Sequence, residues 1–156
     1  MLNYLCPPLY MDIYFCGLIT SGREDVLIYK ELIDHLEKYG SVLTKHVGDP
    51  AVSVAGEPLP AQFVHDRDLD WLFKSKVLVA EVTTKSDGIG YEIGRGIAHG
   101  IHSLIMYRPS VRPVLSKMLA GIPGSRHTYP ETVIRVAPYS TLKGGKVVID
   151  DFFSIL

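Results

Sequence analysis

Apolar residues along the chain follow two rhythms. Short unbroken runs such as DIYFCGLI (12–19), KVLVAEV (76–82) and HSLIMYRP (102–109) have the length and content of strands buried on both faces. SVLTKHV (41–47) and TVIRVA (132–137) are shorter runs of the same kind. Helical spacing occupies the intervals. In REDVLIYKELIDHLEKYG (23–40), Val26, Leu27, Tyr29, Leu32, Ile33 and Leu36 recur at helical spacing, and Gly40 is the expected stop. AQFVHDRDLDWLFKS (61–75) is amphipathic, and further helices are predicted within 86–100, over 112–121 and over 146–155. DPAVSVAGEPLP (49–60), rich in Pro and Gly, is loop.

Strand–helix alternation of this sort builds a parallel sheet covered by helices on both faces. The expected fold class is therefore α/β, a three-layer α/β/α sandwich with about five parallel strands, Rossmann-like or flavodoxin-like. Residues 1–11, with two prolines, are expected to form an extension, and 12–156 a single catalytic domain. Ligands of such sheets bind beyond the carboxyl ends of the strands, near the switch in strand order. The loops after the strands are thus the places to look for chemistry.

Composition narrows the partners. Of 156 residues, 47% are apolar and the formal net charge is −1, so no basic surface for a nucleic-acid polymer is expected. Cys6 and Cys16 form no CxxC pair and read as reduced thiols. No apolar run approaches bilayer length, and MLNYLCPPLY lacks the basic region of a secretory leader. The expectation is a cytoplasmic protein, with the nucleus as a second location, and no membrane partner.

Two loops carry candidate chemistry. In YFCGLITSGRED (14–25), Gly17 and Gly22 let the backbone turn tightly near a ligand, while Thr20 and Ser21 offer hydroxyls ahead of a helix. SDGIGYEIG (86–94) is not the dinucleotide fingerprint: its glycines at 88, 90 and 94 give G-x-G-x-x-x-G, and no acidic residue follows at ribose-binding distance. Ser86, Gly88 and Gly90 nevertheless fit an anion site of backbone N–H groups at a helix start. Glu92 is expected in the first turn of that helix. There it serves either as a carboxylate stabilising the helix dipole or as an ionised nucleophile for a sugar carbon.

A second carboxylate is offered by VHDRDLDWLF, where Asp66 and Asp70 share a helix face and Asp68 points elsewhere. Periodicity does not choose among the three. His46 is expected to end the second strand, at the ligand-binding edge. His99 and His102 are separated by a helix-breaking Gly100 and lack a third ligand, so no metal is expected.

Taken in order, YFCGLITSGRED, VLTKHV, HDRDLDWL, VLVAEVT, SDGIGYEIGRGIA and RPVLSKML resemble, block by block, the 2′-deoxynucleoside 5′-monophosphate N-glycosidases of the nucleoside 2-deoxyribosyltransferase superfamily. The resemblance implies hydrolysis of the N-glycosidic bond, giving free nucleobase and 2-deoxyribose 5-phosphate, with no cofactor. It implies Glu92 as the nucleophile at the anomeric carbon, Asp68 as the acid/base, and Tyr14 as the tyrosine that orients the catalytic carboxylate. Substrate contacts implied are Gly17, Leu18, Ile19, Thr20, Ser21, Gly22 and Arg23 in the first loop, His46, and Ser86, Gly88 and Gly90. Ser116 and its neighbour Met118 are implied to reach the ligand of a second subunit, hence a homodimer. One departure stands out. The family's first loop commonly reads G-S-I-R-G-G, and Leu18 and Thr20 replace its serine and arginine, removing a hydroxyl and a cation from the phosphate end.

The implied chemistry is retaining glycoside hydrolysis with two carboxyl groups on opposite duties. On this reading the helix terminus keeps Glu92 charged. Two alternatives remain: a deoxyribosyltransferase that hands the sugar to a second base, and a nucleotide-binding module without catalysis.

Overall fold

The computed structural model describes residues 10–20 and 22–156. Its central sheet has five parallel strands in the order β2-β1-β3-β4-β5: β1 (Met11–Cys16), β2 (Gly40–Val42), β3 (Val77–Glu81), β4 (His102–Tyr107) and β5 (Ile134–Pro138). Helices α1 (Val26–Leu36), α2 (Ala61–Lys74), α3 (Asp87–Ala98), α4 (Lys117–Ala120) and α5 (Leu142–Phe153) follow the strands in turn. The expected three-layer α/β architecture is the one found.

Strand alternation divides the core. Ile13, Phe15, Val77, Val79, Leu104 and Met106 pack with Leu32, Ile33 and Leu36 of α1 and with Ile149 and Phe152 of α5. The alternate residues Tyr14, Cys16, Leu78, Ala80 and Ile105 pack with Leu69 and Leu72 of α2 and with Ile89 and Ile93 of α3. Parity sets Tyr14 opposite Ile13 and Phe15, and the packed helices make that the α2/α3 face. β1 lies between β2 and β3, so the connections leaving β1 and β3 diverge and open a crevice at their carboxyl ends.

Several boundaries differ from the sequence expectation. β1 begins at Met11, expected in the extension, and pairs it with Gly40; residues 1–9 of that extension lie outside the described residues. Gly40 is no helix stop but the first residue of β2, where a Cβ would stand 1.9 Å from the Met11 carbonyl oxygen. β1 ends at Cys16, which frees residues 17–19 as loop. β2 stops at Val42, and a 3-10 turn over Lys45–Gly48 follows, so His46 sits in that turn, just beyond the strand. Thr44 anchors the turn: its hydroxyl accepts the Phe15 N–H at 2.9 Å and donates to the Phe15 carbonyl at 2.6 Å. The helix expected over 112–121 shrinks to the single turn α4. Ahead of it Arg112 ties the chain to the Val82 carbonyl, and Ser116 supplies the cap. α5 starts at Leu142, before the glycine pair, where Thr141 caps it by accepting the Gly144 N–H at 3.1 Å; a Cβ at Gly145 would meet the Tyr139 ring at 3.1 Å.

Beneath the α1/α5 face, polar side chains tie the carboxyl ends of three strands. Glu81 is fully buried and accepts hydrogen bonds from the Thr83 N–H (3.2 Å) and the Tyr139 hydroxyl (2.9 Å). Arg108 Nε lies 3.8 Å from it, and the same guanidinium pairs with Asp25 ahead of α1. A buried carboxylate is tolerable only with such partners, and removing one leaves a charge uncompensated. Among the described residues no helix is long and apolar enough to cross a membrane.

Candidate active site

The crevice is a cavity of about 660 Å³. Its walls come from the loop after β1 (Gly17, Leu18, Ile19, Thr20), the turn after β2 (His46), α2 (Asp68) and the start of α3 (Ser86, Gly88, Glu92). Gly17 is required by packing: a Cβ there would fall 2.9 Å from the buried Tyr29 ring, whose hydroxyl accepts the Leu18 N–H at 3.3 Å.

Glu92, which lines the cavity, meets the buried Tyr14. The Tyr14 hydroxyl donates to Glu92 Oε1 at 2.5 Å, a contact between residues 78 apart in sequence. Tyr14 is 1% exposed, and burial together with the neighbouring Glu92 charge drives its phenol far above the usual range, so it stays a donor. Glu92 does not occupy the expected first turn. α3 starts at Asp87 with Ser86 as cap, accepting the Ile89 N–H at 3.3 Å, and this places Glu92 in the second turn. The field of the helix start is weak there. Burial dominates and, with the nearby Asp68 charge, pushes the Glu92 carboxyl up to about 7, while the Tyr14 hydrogen bond pulls it down.

Of the three aspartates of α2, Asp66 and Asp70 are exposed, and Asp68 is the one that lines the cavity. Arg67, beside it, donates through Nε to Asp68 Oδ1 at 2.9 Å and makes two hydrogen bonds to Glu57, at 2.9 and 2.5 Å. His46 lies 3.7 Å from Glu57, and burial lowers its pKa below the ordinary imidazole value. Cys16 lies buried below the site with its thiol pKa pushed up, first by burial and then by Glu92, which makes it an inert core residue.

Other residues expected at the substrate fall elsewhere. Gly90, Ser116 and Met118 line a neighbouring hollow of about 330 Å³ that shares Ser86 and Lys85 with the main cavity. Gly22 is buried under the first loop, outside both hollows. Arg23 turns away from the main cavity, donating to the Val47 and Asp49 carbonyls at 3.0 and 2.6 Å. Ser21 lies outside the described residues. Among the described residues, no group of three His, Cys, Asp or Glu side chains is arranged to hold a metal ion.

Sequence reasoning missed Glu57, Lys85, Asp87 and Tyr91 on the cavity wall, and Arg67 behind it. Glu57 comes from the Pro/Gly loop, where no periodicity assigns a direction. Arg67 stands in a run of alternating charge that reads as a solvated helix face.

A buried carboxyl fixed by a tyrosine, with a second carboxyl lining the same cavity, is the equipment for covalent chemistry at an electrophilic carbon. Comparison with known proteins gives the family. A family model described as nucleoside 2-deoxyribosyltransferase matches residues 13–152. The 5-hydroxymethyl-dUMP N-hydrolase of Danio rerio is 47% identical over 112 residues, covering 71% of this chain and 78% of that protein. The protein of the same name from Esox lucius is 47% identical over 116 residues, covering 71% and 79%. Among solved structures, that of the Clostridium botulinum CMP N-glycosidase superposes with a TM-score of 0.67 over 90% of this chain and 98% of that one. At 14% identity that likeness speaks for the fold alone. With the sheet order, the crevice and a family match across nearly the whole domain in agreement, this chain belongs to the nucleoside 2-deoxyribosyltransferase family.

Proposed function

We propose that this protein hydrolyses the N-glycosidic bond of 2′-deoxynucleoside 5′-monophosphates, releasing the nucleobase and 2-deoxyribose 5-phosphate. The observation that carries the reading is the Tyr14–Glu92 hydrogen bond at a cavity that both Glu92 and Asp68 line. Ionised Glu92 attacks C1′ as the bond to the base breaks, and Asp68 gives the departing base its proton. The glycosyl ester on Glu92 is then opened by water, which loses a proton to Asp68. A 2′-hydroxyl would crowd the nucleophile in this arrangement, which accounts for a preference for deoxyribose. Ser86 and the first N–H groups of α3 receive the 5′-phosphate.

The chain works as a homodimer in this reading. Val114 and Met118 are 79% and 83% exposed on either side of Ser116, an apolar surface suited to a second copy whose Ser116 reaches the neighbouring phosphate. The cytoplasm, with the nucleus, is the proposed location.

Chromatography of each deoxynucleoside monophosphate incubated with purified protein tests the activity. Free base in stoichiometric amount with 2-deoxyribose 5-phosphate is expected, and intact substrate throughout would end the proposal. A second reading, transfer of deoxyribose to another base, is favoured by one observation. Leu18 and Thr20 stand in the cavity wall while Arg23 and Arg112 are committed to backbone carbonyls. Formation of a new nucleoside when an acceptor base is added identifies it.

A further inference from the structure

Arg67 and Asp68 are adjacent on α2, and adjacent side chains of a helix diverge. Here they meet all the same: Arg67 Nε is 2.9 Å and Nη2 2.8 Å from Asp68 Oδ1. What bends the guanidinium back is a clamp. Glu57 takes Nη1 and Nη2 on its two oxygens at 2.9 and 2.5 Å, and the Trp71 indole lies under the guanidinium, 4.6 Å from carbon to ring centroid. The side chains of Arg67, Glu57 and Asp68 are only 17%, 20% and 21% exposed, so this is not a solvated surface pair. Among the described residues no donor reaches Asp68 Oδ2. Oδ1 is held, and Asp68 is one of the residues that line the cavity.

We infer that Glu57 and Arg67 are a positioning pair that aims Asp68, fixing Oδ1 so that Oδ2 exchanges the proton with the departing base. The inference rests on the reading of Asp68 as acid/base given above. Arg67 lies behind the cavity wall, and Glu57, though it lines the cavity, gives both carboxylate oxygens to the guanidinium. Each acts through Asp68, and the loop that carries Glu57 thereby sets the geometry of a group on another element. Planar two-point recognition of this kind is specific to arginine, and a lysine would not reproduce it.

The test compares two leaving groups. One substrate is a deoxynucleoside monophosphate, whose base needs a proton to depart. The other carries 4-nitrophenol at C1′ of 2-deoxyribose 5-phosphate, a group that departs as the anion without help. Misplacing an acid by a fraction of an ångström costs about 10- to 100-fold, so Arg67→Gln and Arg67→Lys are expected to lower kcat for the nucleotide by that factor. KM and the first-turnover burst of nitrophenolate, which precedes the water step, should stay within about twofold of the unaltered protein. Glu57→Gln is expected to act in the same direction, less strongly. A retained nitrophenolate burst itself reports an intact fold. Equal losses on both substrates, or none on either, would overturn the pair's role. Asp68→Asn separates the two levels: if it too fails to discriminate between the leaving groups, the acid/base reading of Asp68 is what falls.

Discussion

Replacing Glu92 with glutamine should make the protein more stable while disabling it, and only above a certain pH. An exposed glutamate titrates near 4.5, whereas burial and Asp68 raise Glu92 to about 7 in the folded chain. Below pH 4.5 both folded and unfolded forms are protonated and the group contributes nothing. As pH rises from there the unfolded chain releases its proton first, so folded stability declines until the folded carboxyl has also ionised, near pH 7. At about 1.4 kcal/mol per pKa unit, the accumulated cost is about 3 kcal/mol. Glutamine keeps an oxygen for the Tyr14 hydroxyl and carries no charge, so it escapes that cost. Urea unfolding at pH 5 and pH 8 should show Glu92→Gln gaining about 2 to 3 kcal/mol over the parent at the higher pH and less than about 1 at the lower. Base release should fall by more than about a hundredfold in the same variant, because the covalent step has lost its nucleophile. Parallel stability curves for the two proteins between these pH values would refute the placement of an ionisable Glu92 in a desolvated site.

Removing the Tyr14 hydroxyl takes away the contact that pulls the Glu92 titration down. Tyr14→Phe is therefore expected to shift the acidic limb of kcat/KM to higher pH and to lower kcat by about 10-fold, read from a pH–rate profile. Ser116→Ala should raise KM for the monophosphate by about 10-fold with cooperative unfolding preserved, measured beside the dimer mass by sedimentation; a fully active monomer would remove Ser116 from the site. Gly17→Ala forces a methyl against the Tyr29 ring and is expected to cost about 1 to 3 kcal/mol in urea unfolding.

The sheet was legible because strands buried on both faces leave a signature that helices of the same length do not. β3 and β4 were found with nearly correct ends for that reason. Parity in β1 already placed Tyr14 opposite the face of Ile13 and Phe15, though only the packed helices show which face is which. Asp68 could not be separated from Asp66 and Asp70, since helical spacing ranks faces without saying where the helix is laid. Glu92 was read with the wrong electrostatics. The helix begins at Asp87, and a residue in the second turn answers to its surroundings in the fold, which a linear pattern does not contain. The clamp of Glu57 on Arg67 joins a loop to a helix and leaves no periodic trace. α4 failed as a long helix where Arg108 and Arg112 are tied to Thr83 and Val82, just past the end of β3.

The Glu81 knot has a bearing on how such a protein can change over time. It braces the rim of the sheet from the side away from the cavity, through Thr83, Tyr139, Arg108 and Asp25. Residues of the cavity wall, such as Leu18 and Thr20, carry none of that bracing. New preferences can thus be sampled on one side at little mechanical risk, because the beams that keep the rim in shape run along the other.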